Sequence, residues 1–156
     1  MLLSSNAIRE GEPIALDFAE QAAGGENKVP DLTWTEAPEG TKSFAITVYD
    51  PDAPTGSGFW HWIAFDIPAD TTGTAAGTAL PEGSREWMND YGYKGYGGPC
   101  PPEGRIHRYQ YTIHALDSEK LDVPDEATNA QARFAILASQ IEAATLTGKF
   151  KLPDHD

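Results

Sequence analysis

The chain has 156 residues, 40% hydrophobic and 22% charged; that fits a single domain over residues 1–156 with its own core, and excludes a disordered chain. Eleven basic against 24 acidic residues leave a formal net charge of −13, a field that repels phosphate backbones and anionic lipid headgroups, so no nucleic-acid partner is expected. No run approaches the ~20 apolar residues that cross a bilayer, the N-terminus has no basic region and no long apolar stretch of a signal peptide, and Cys100 has no internal disulfide partner; a cytoplasmic protein without stable membrane insertion is expected.

Fifteen glycines and twelve prolines favour many turns and therefore many short strands. In chain order, residues 14–18 and 32–34 are weaker strand candidates. Residues 43–50 are a clear one, with Phe44, Ile46, Val48 and Asp50 on one face. A second covers residues 61–67, with His61, Ile63, Phe65 and Ile67 on a common face and Trp60 and Trp62 on the opposite one. Residues 69–79, rich in Thr, Gly and Ala, read as a long connection. Residues 92–104 hold five glycines and three prolines, which neither a helix nor a central strand accepts, so a rigid irregular loop is expected. A third strand covers residues 107–116, with His107, Tyr109, Tyr111 and Ile113 together. Ala130, Phe134, Leu137, Ile141 and Ala144 then fall at helical spacing; Thr128 and Gln131 form a capping box and Gly148 stands where the helix would stop. The apolar stripe of this helix is expected to pack on the sheet. No repeat or linker divides the chain.

The three clear strands place polar residues at their ends. Asp50 closes its strand, His61 and His107 open theirs, and each is in phase with apolar neighbours. If the first strand pairs antiparallel with both others, the three meet at one sheet edge. Two histidines and a carboxylate suit a 2-His-1-carboxylate metal, although close-spaced ligands on one element are missing. They also suit an oxyanion, one imidazole donating an N–H while the carboxylate raises the other's pKa and sets its tautomer. Nearby, Asp50-Pro51-Asp52-Ala53-Pro54 is a stiff turn. In Gly97-Gly98-Pro99-Cys100-Pro101-Pro102 the prolines leave Gly98 and Cys100 as backbone donors around Pro99. Cys100 with a histidine and Asp50 also has the parts of a thiol hydrolase, but Pro99-Cys100-Pro101 supplies no helix N-terminus to lower the thiol pKa, and a nucleophile needs an oriented base.

These motifs resemble the phosphatidylethanolamine-binding protein family, above all its bacterial, Raf-kinase-inhibitor-like branch. The resemblance rests on Gly25-Glu26-Asn27 with Pro30, Leu32 and Trp34; on Asp50-Pro51-Asp52-Ala53-Pro54; on His61-Trp62-Ile63; on Gly95-Tyr96-Gly97-Gly98-Pro99-Cys100-Pro101-Pro102; and on His107-Arg108-Tyr109, in that order across nearly the whole chain. It implies a mainly β fold: a β-sandwich with a large antiparallel sheet and a few peripheral helices, one near the C-terminus. It implies a binding protein rather than an enzyme, without metal or cofactor, whose cavity takes phosphate, a phosphorylated headgroup or a carboxylate. Asp50, His61, Cys100 (through its N–H), Pro102, His107 and Tyr109 would bind the ligand, and Asp52, Pro54 and Gly98 would shape the cavity. Protein partners such as kinases or proteases go with the family; Trp60 and Trp62 are expected to pack against the second sheet or the helix, the alternative being a homodimer surface, which the bacterial relatives suggest. Residues 104–106 lengthen the loop before His107, residues 84–93 match weakly, and the tail 151–156 differs from the segment that gates the pocket in animal members.

Overall fold

The computed structural model describes residues 1–153; the last three residues of the tail lie outside the described residues. In chain order the elements are β1 (Leu2–Ser4), β2 (Leu32–Thr35), β3 (Ser43–Asp50), β4 (Phe59–Pro68), β5 (Gly73–Thr74), β6 (Arg85–Glu86), β7 (Ile106–Leu116), α1 (Asn129–Ser139) and β8 (Gln140–Lys151). The larger sheet runs β6-β4-β3-β7-β8 and the smaller β1-β2-β5, antiparallel throughout. Between the sheets lie Trp34, Phe44, Ile46, Val48, Tyr111 and Ile113, all buried. Ala45, Ile63, Phe65 and Leu116 point to the other face, where Ala132 and Ile136 of α1 cover them. The architecture is the mainly β sandwich expected, with one helix near the C-terminus.

β4 departs from the expected alternation. Val48 pairs with Trp62 but Tyr49 pairs with Trp60, so His61 is an extra residue in the ladder. Further on, Phe44 faces Ile67 and Ile46 faces Ala64, so Phe65 and Asp66 together oppose Ala45; Asp66 takes a left-handed φ of 57° there. Each β-bulge shifts the side-chain phase by one residue. His61 and Ile67 therefore look toward the space between the sheets, while Ile63 and Phe65 look toward α1. Trp60 and Trp62 do not share a face either. Trp62 is buried between the sheets, and Trp60 lies on the helix side with the Arg133 guanidinium 4.2 Å from its ring centre.

The helix ends earlier than its apolar spacing suggests. The capping box forms as expected, Thr128 accepting from the Gln131 N–H and Gln131 from the Thr128 N–H. The chain leaves the helix at Ser139, and Ile141, Ala144 and Gly148 belong to β8. Pairing with β7 over its whole length supplies a ladder that the local helical spacing does not outweigh. The stripe does not pack on the sheet: Phe134 is 76% exposed and Leu137 63%. Gly148 is not a helix stop but a crossing point. A Cβ there would sit 2.6 Å from Ile14 Cγ1, because residues 11–14 run over β8, with Gly11 N–H donating to Thr147 O and Ile14 N–H to Lys149 O. Residues 14–18 form no strand. Pro13 makes one isolated bridge to Lys149, and a 3-10 turn follows over Leu16–Phe18.

Candidate functional site

β3 lies between β4 and β7, so the last residue of β3 meets the first residues of both neighbours. Asp50, His61 and His107 gather there around a cavity of about 130 Å³, whose wall also includes Pro54, Phe59, Tyr91, Cys100, Pro102 and Tyr109. All three charged or titratable residues are buried: Asp50 is 2% exposed, His61 3% and His107 5%.

Asp50 and His107 form a pair. His107 Nδ1 donates to Asp50 Oδ2 at 2.6 Å, while the other carboxylate oxygen accepts the Asp52 N–H at 2.7 Å. Asp52 in turn clamps β7: its carboxylate accepts from the Arg108 backbone N–H (2.8 Å), Nε (3.0 Å) and Nη2 (2.8 Å). The Arg108 hydrogen bond holds the Asp52 carboxyl below its ordinary pKa, against a smaller opposing effect of burial. The stiff Asp-Pro-Asp turn thus locks Asp50 and His107 together from outside the cavity. With Nδ1 engaged, His107 has only Nε2 left for a ligand.

His61 is held differently. The bulge leaves its carbonyl outside the ladder, and the Gly97 N–H donates to it at 2.9 Å. In return the His61 ring donates from Nδ1 to the Gly97 carbonyl at 2.7 Å; a carbonyl only accepts, so the proton resides on Nδ1. Burial, the largest influence, pushes the His61 pKa down to about 4, and the ring is neutral near pH 7. Its Nε2 is then a hydrogen-bond acceptor. The rings of Phe59 (4.7 Å), Tyr109 (5.1 Å) and Tyr91 (5.4 Å) surround it.

The glycine-rich loop closes the wall. Asn27 donates from Nδ2 to Tyr96 O and accepts from the Gly98 N–H at 2.7 Å. The Gly98 N–H is therefore not available to a ligand. Glycine is needed at Gly98 because a Cβ would lie 2.0 Å from the Phe18 carbonyl oxygen. Tyr91 donates its hydroxyl to Gly98 O at 2.7 Å. Cys100 is half-buried on the wall, and burial, with Glu20 second, pushes its thiol pKa up, the opposite of what a nucleophilic thiolate needs. The Tyr109 hydroxyl is buried without a hydrogen-bond partner.

Of the residues singled out in the sequence, Asp50, His61, Cys100, Pro102, His107, Tyr109 and Pro54 line the cavity. Asp52 and Gly98 stand behind it as supports. Sequence reasoning missed Phe59, Tyr91 and Asn27 as parts of the site; only Asn27, in the Gly25-Glu26-Asn27 motif, carried a signal. Among the described residues no group of three or more His, Cys, Asp or Glu side chains is disposed to hold a metal ion, and Asp50 already uses both oxygens. No helix among them is long and apolar enough to cross a membrane.

A two-sheet sandwich with a small, largely apolar-walled cavity at the strand ends of its large sheet, where Asp50, His61 and His107 meet, defines a class of small-ligand-sized sites rather than an extended groove. The phosphatidylethanolamine-binding protein family model matches residues 4–151. Escherichia coli YbcL is 43% identical over 96% of this chain and 87% of its own length, and E. coli YbhB 42% over 96% and 99%. The crystal structure of E. coli YbcL, described as a new member of the mammalian PEBP family, superposes with a TM-score of 0.91 at 42% identity, covering 97% of this chain and 98% of that one. The homologue CT736 from Chlamydia trachomatis superposes with a TM-score of 0.84 at 29% identity, covering 97% of each. The chain belongs to the phosphatidylethanolamine-binding protein family.

Proposed function

We propose that the cavity binds a small oxyanion, phosphate or a phosphate- or carboxylate-bearing group, and that the protein works as a binding module rather than as an enzyme. The observation that carries this reading is the buried Asp50–His107 pair on the wall of a cavity of about 130 Å³. When the His107 ring is protonated, its charge is balanced by Asp50, and its Nε2 donates to the anion. The cavity is smaller than the ~300 Å³ at which pockets for larger organic ligands begin, which favours an ion or a headgroup over a whole lipid. A net charge of −13 opposes binding to nucleic acid or an anionic membrane. The free Cys100 supports a reducing, cytoplasmic setting.

Titration calorimetry with inorganic phosphate tests the reading. Binding is expected in the native chain, and His107→Ala is expected to weaken it about tenfold or more, the worth of one charge-assisted hydrogen bond. Equal affinity in both would overturn the assignment of the cavity. The metal and thiol-hydrolase readings lack a supporting observation: no described cluster suits a metal, and the Cys100 thiol is shifted away from the thiolate.

A further inference from the structure

The two histidines on the cavity wall are not equivalent in what they offer. His107 gives its Nδ1 hydrogen to the Asp50 carboxylate, whose negative charge balances a second proton on the ring, and it is the Nε2–H of that doubly protonated ring that donates to an anion. His61 gives its Nδ1 hydrogen to the Gly97 carbonyl, and among the described residues its Nε2 makes no hydrogen bond. A second proton on that ring would be a buried cation, 3% exposed, boxed in by Phe59, Tyr91 and Tyr109. The polar groups that act on it, Gly97 and Gly98, offer backbone carbonyls rather than a carboxylate, and Asp50 is already engaged on both oxygens. With an anion bound, the cavity therefore presents a donor on the His107 side and an acceptor on the His61 side.

We infer that the site selects tetrahedral oxyanions that still carry a proton, the P–OH donating to His61 Nε2 while the anionic oxygens face His107. This rests on the anion-binding reading above and narrows it. Inorganic phosphate and phosphate monoesters carry such a proton below their second ionisation, which lies at about pH 6 for an ester. Sulfate carries none, and neither does a phosphodiester, the linkage of an intact glycerophospholipid headgroup. With either of these, an acceptor oxygen would face the acceptor Nε2, or the buried ring would have to take up a proton, which its burial opposes. The favoured ligands are then free phosphate and the monoester of a released headgroup or a phosphorylated small molecule.

Charge does not explain this selection, and that makes it testable. Sulfate is a dianion and dimethyl phosphate a monoanion, so they bracket phosphate in charge while both lack the proton. The experiment is calorimetry on the native chain at about pH 6 with inorganic phosphate, methyl phosphate, sulfate and dimethyl phosphate. Phosphate and methyl phosphate are expected to bind, with sulfate and dimethyl phosphate each weaker by about tenfold or more, the size of one buried hydrogen bond left unmade. Four similar affinities would overturn the selection while leaving anion binding intact. Binding by none of the four would overturn the anion-binding reading itself. Nitrogen NMR of the free protein gives a second readout that needs no variant. A neutral His61 protonated on Nδ1 is expected, and a ring protonated on Nε2 at that pH would overturn the inference.

Discussion

Histidines are buried on both faces of the large sheet, and the two faces treat them differently. On the helix side His114 has both ring nitrogens engaged, Nε2 with Thr47 Oγ1 at 2.8 Å and Nδ1 with Gln140 Oε1 at 2.6 Å. On the cavity side His61 and His107 each use Nδ1 alone. Burial by itself does not separate them, since His114 is 6% exposed and His107 5%. What separates them is the leftover nitrogen. A fully satisfied buried imidazole ties strands together; a half-satisfied one, on the wall of a cavity, holds a position open for something else.

Four measurements press on this contrast. The largest effect belongs to His107→Ala, which leaves Asp50 buried without its partner; a loss of about 3–5 kcal/mol in stability is expected by urea denaturation. Replacing Asp50 with Ala in the same chain should recover part of that stability and none of the phosphate affinity. Next comes acid. Because burial holds the His61 pKa at about 4, the unfolded chain takes up a proton below its ordinary value of ~6.5 when the folded chain does not. The stabilisation is whole above that value and is lost as pH falls toward 4, about 3 kcal/mol in all by the same linkage. His114, also lowered by burial, adds in the same direction, so urea melts across this range should show both. Phosphate should perturb the NMR titration of His61 and leave that of His114 in place. Third, His114→Ala should cost about 2 kcal/mol through lost hydrogen bonds and packing with phosphate affinity unchanged; a parallel loss of affinity would break the contrast. The smallest effect is that of Thr47→Val, about 1 kcal/mol, again with binding untouched.

The three central strands were legible because their apolar alternation is strong, and the capping box because its two residues act locally. The position of His61 was reached by an argument that does not hold. The expected common face of His61, Ile63, Phe65 and Ile67 is broken by two bulges, and His61 faces the cavity only because the first bulge returns it there. A bulge has no reliable local signature; it is set by how the neighbouring strand and the Gly97 latch satisfy the extra residue. The helix boundary failed for a related reason. Ile141 and Ala144 continue a helical spacing, while the competing period-2 pattern of Ala144, Leu146, Gly148 and Phe150 gains its hydrogen bonds only from distant β7. Phe59, at the start of β4, and Tyr91, in a loop, were invisible because an aromatic residue at either kind of position carries no local sign that it lines a wall. Asn27 was visible as a motif, but its task, holding Tyr96 and Gly98 in place, was not.

The crossing of residues 11–14 over β8 has a consequence for how the molecule comes to be assembled. Gly11 and Ile14 bond to Thr147 and Lys149, and Met1 pairs with Glu142, so the two ends of the chain are joined to each other. Such a contact closes the longest loop available and needs β8 already laid against β7. The N-terminal segment is then a clasp between distant parts of the chain, expected to open at lower cost than the central strands. Amide exchange at Gly11 and Ile14 would report that opening while the strands that carry Asp50, His61 and His107 stay shut.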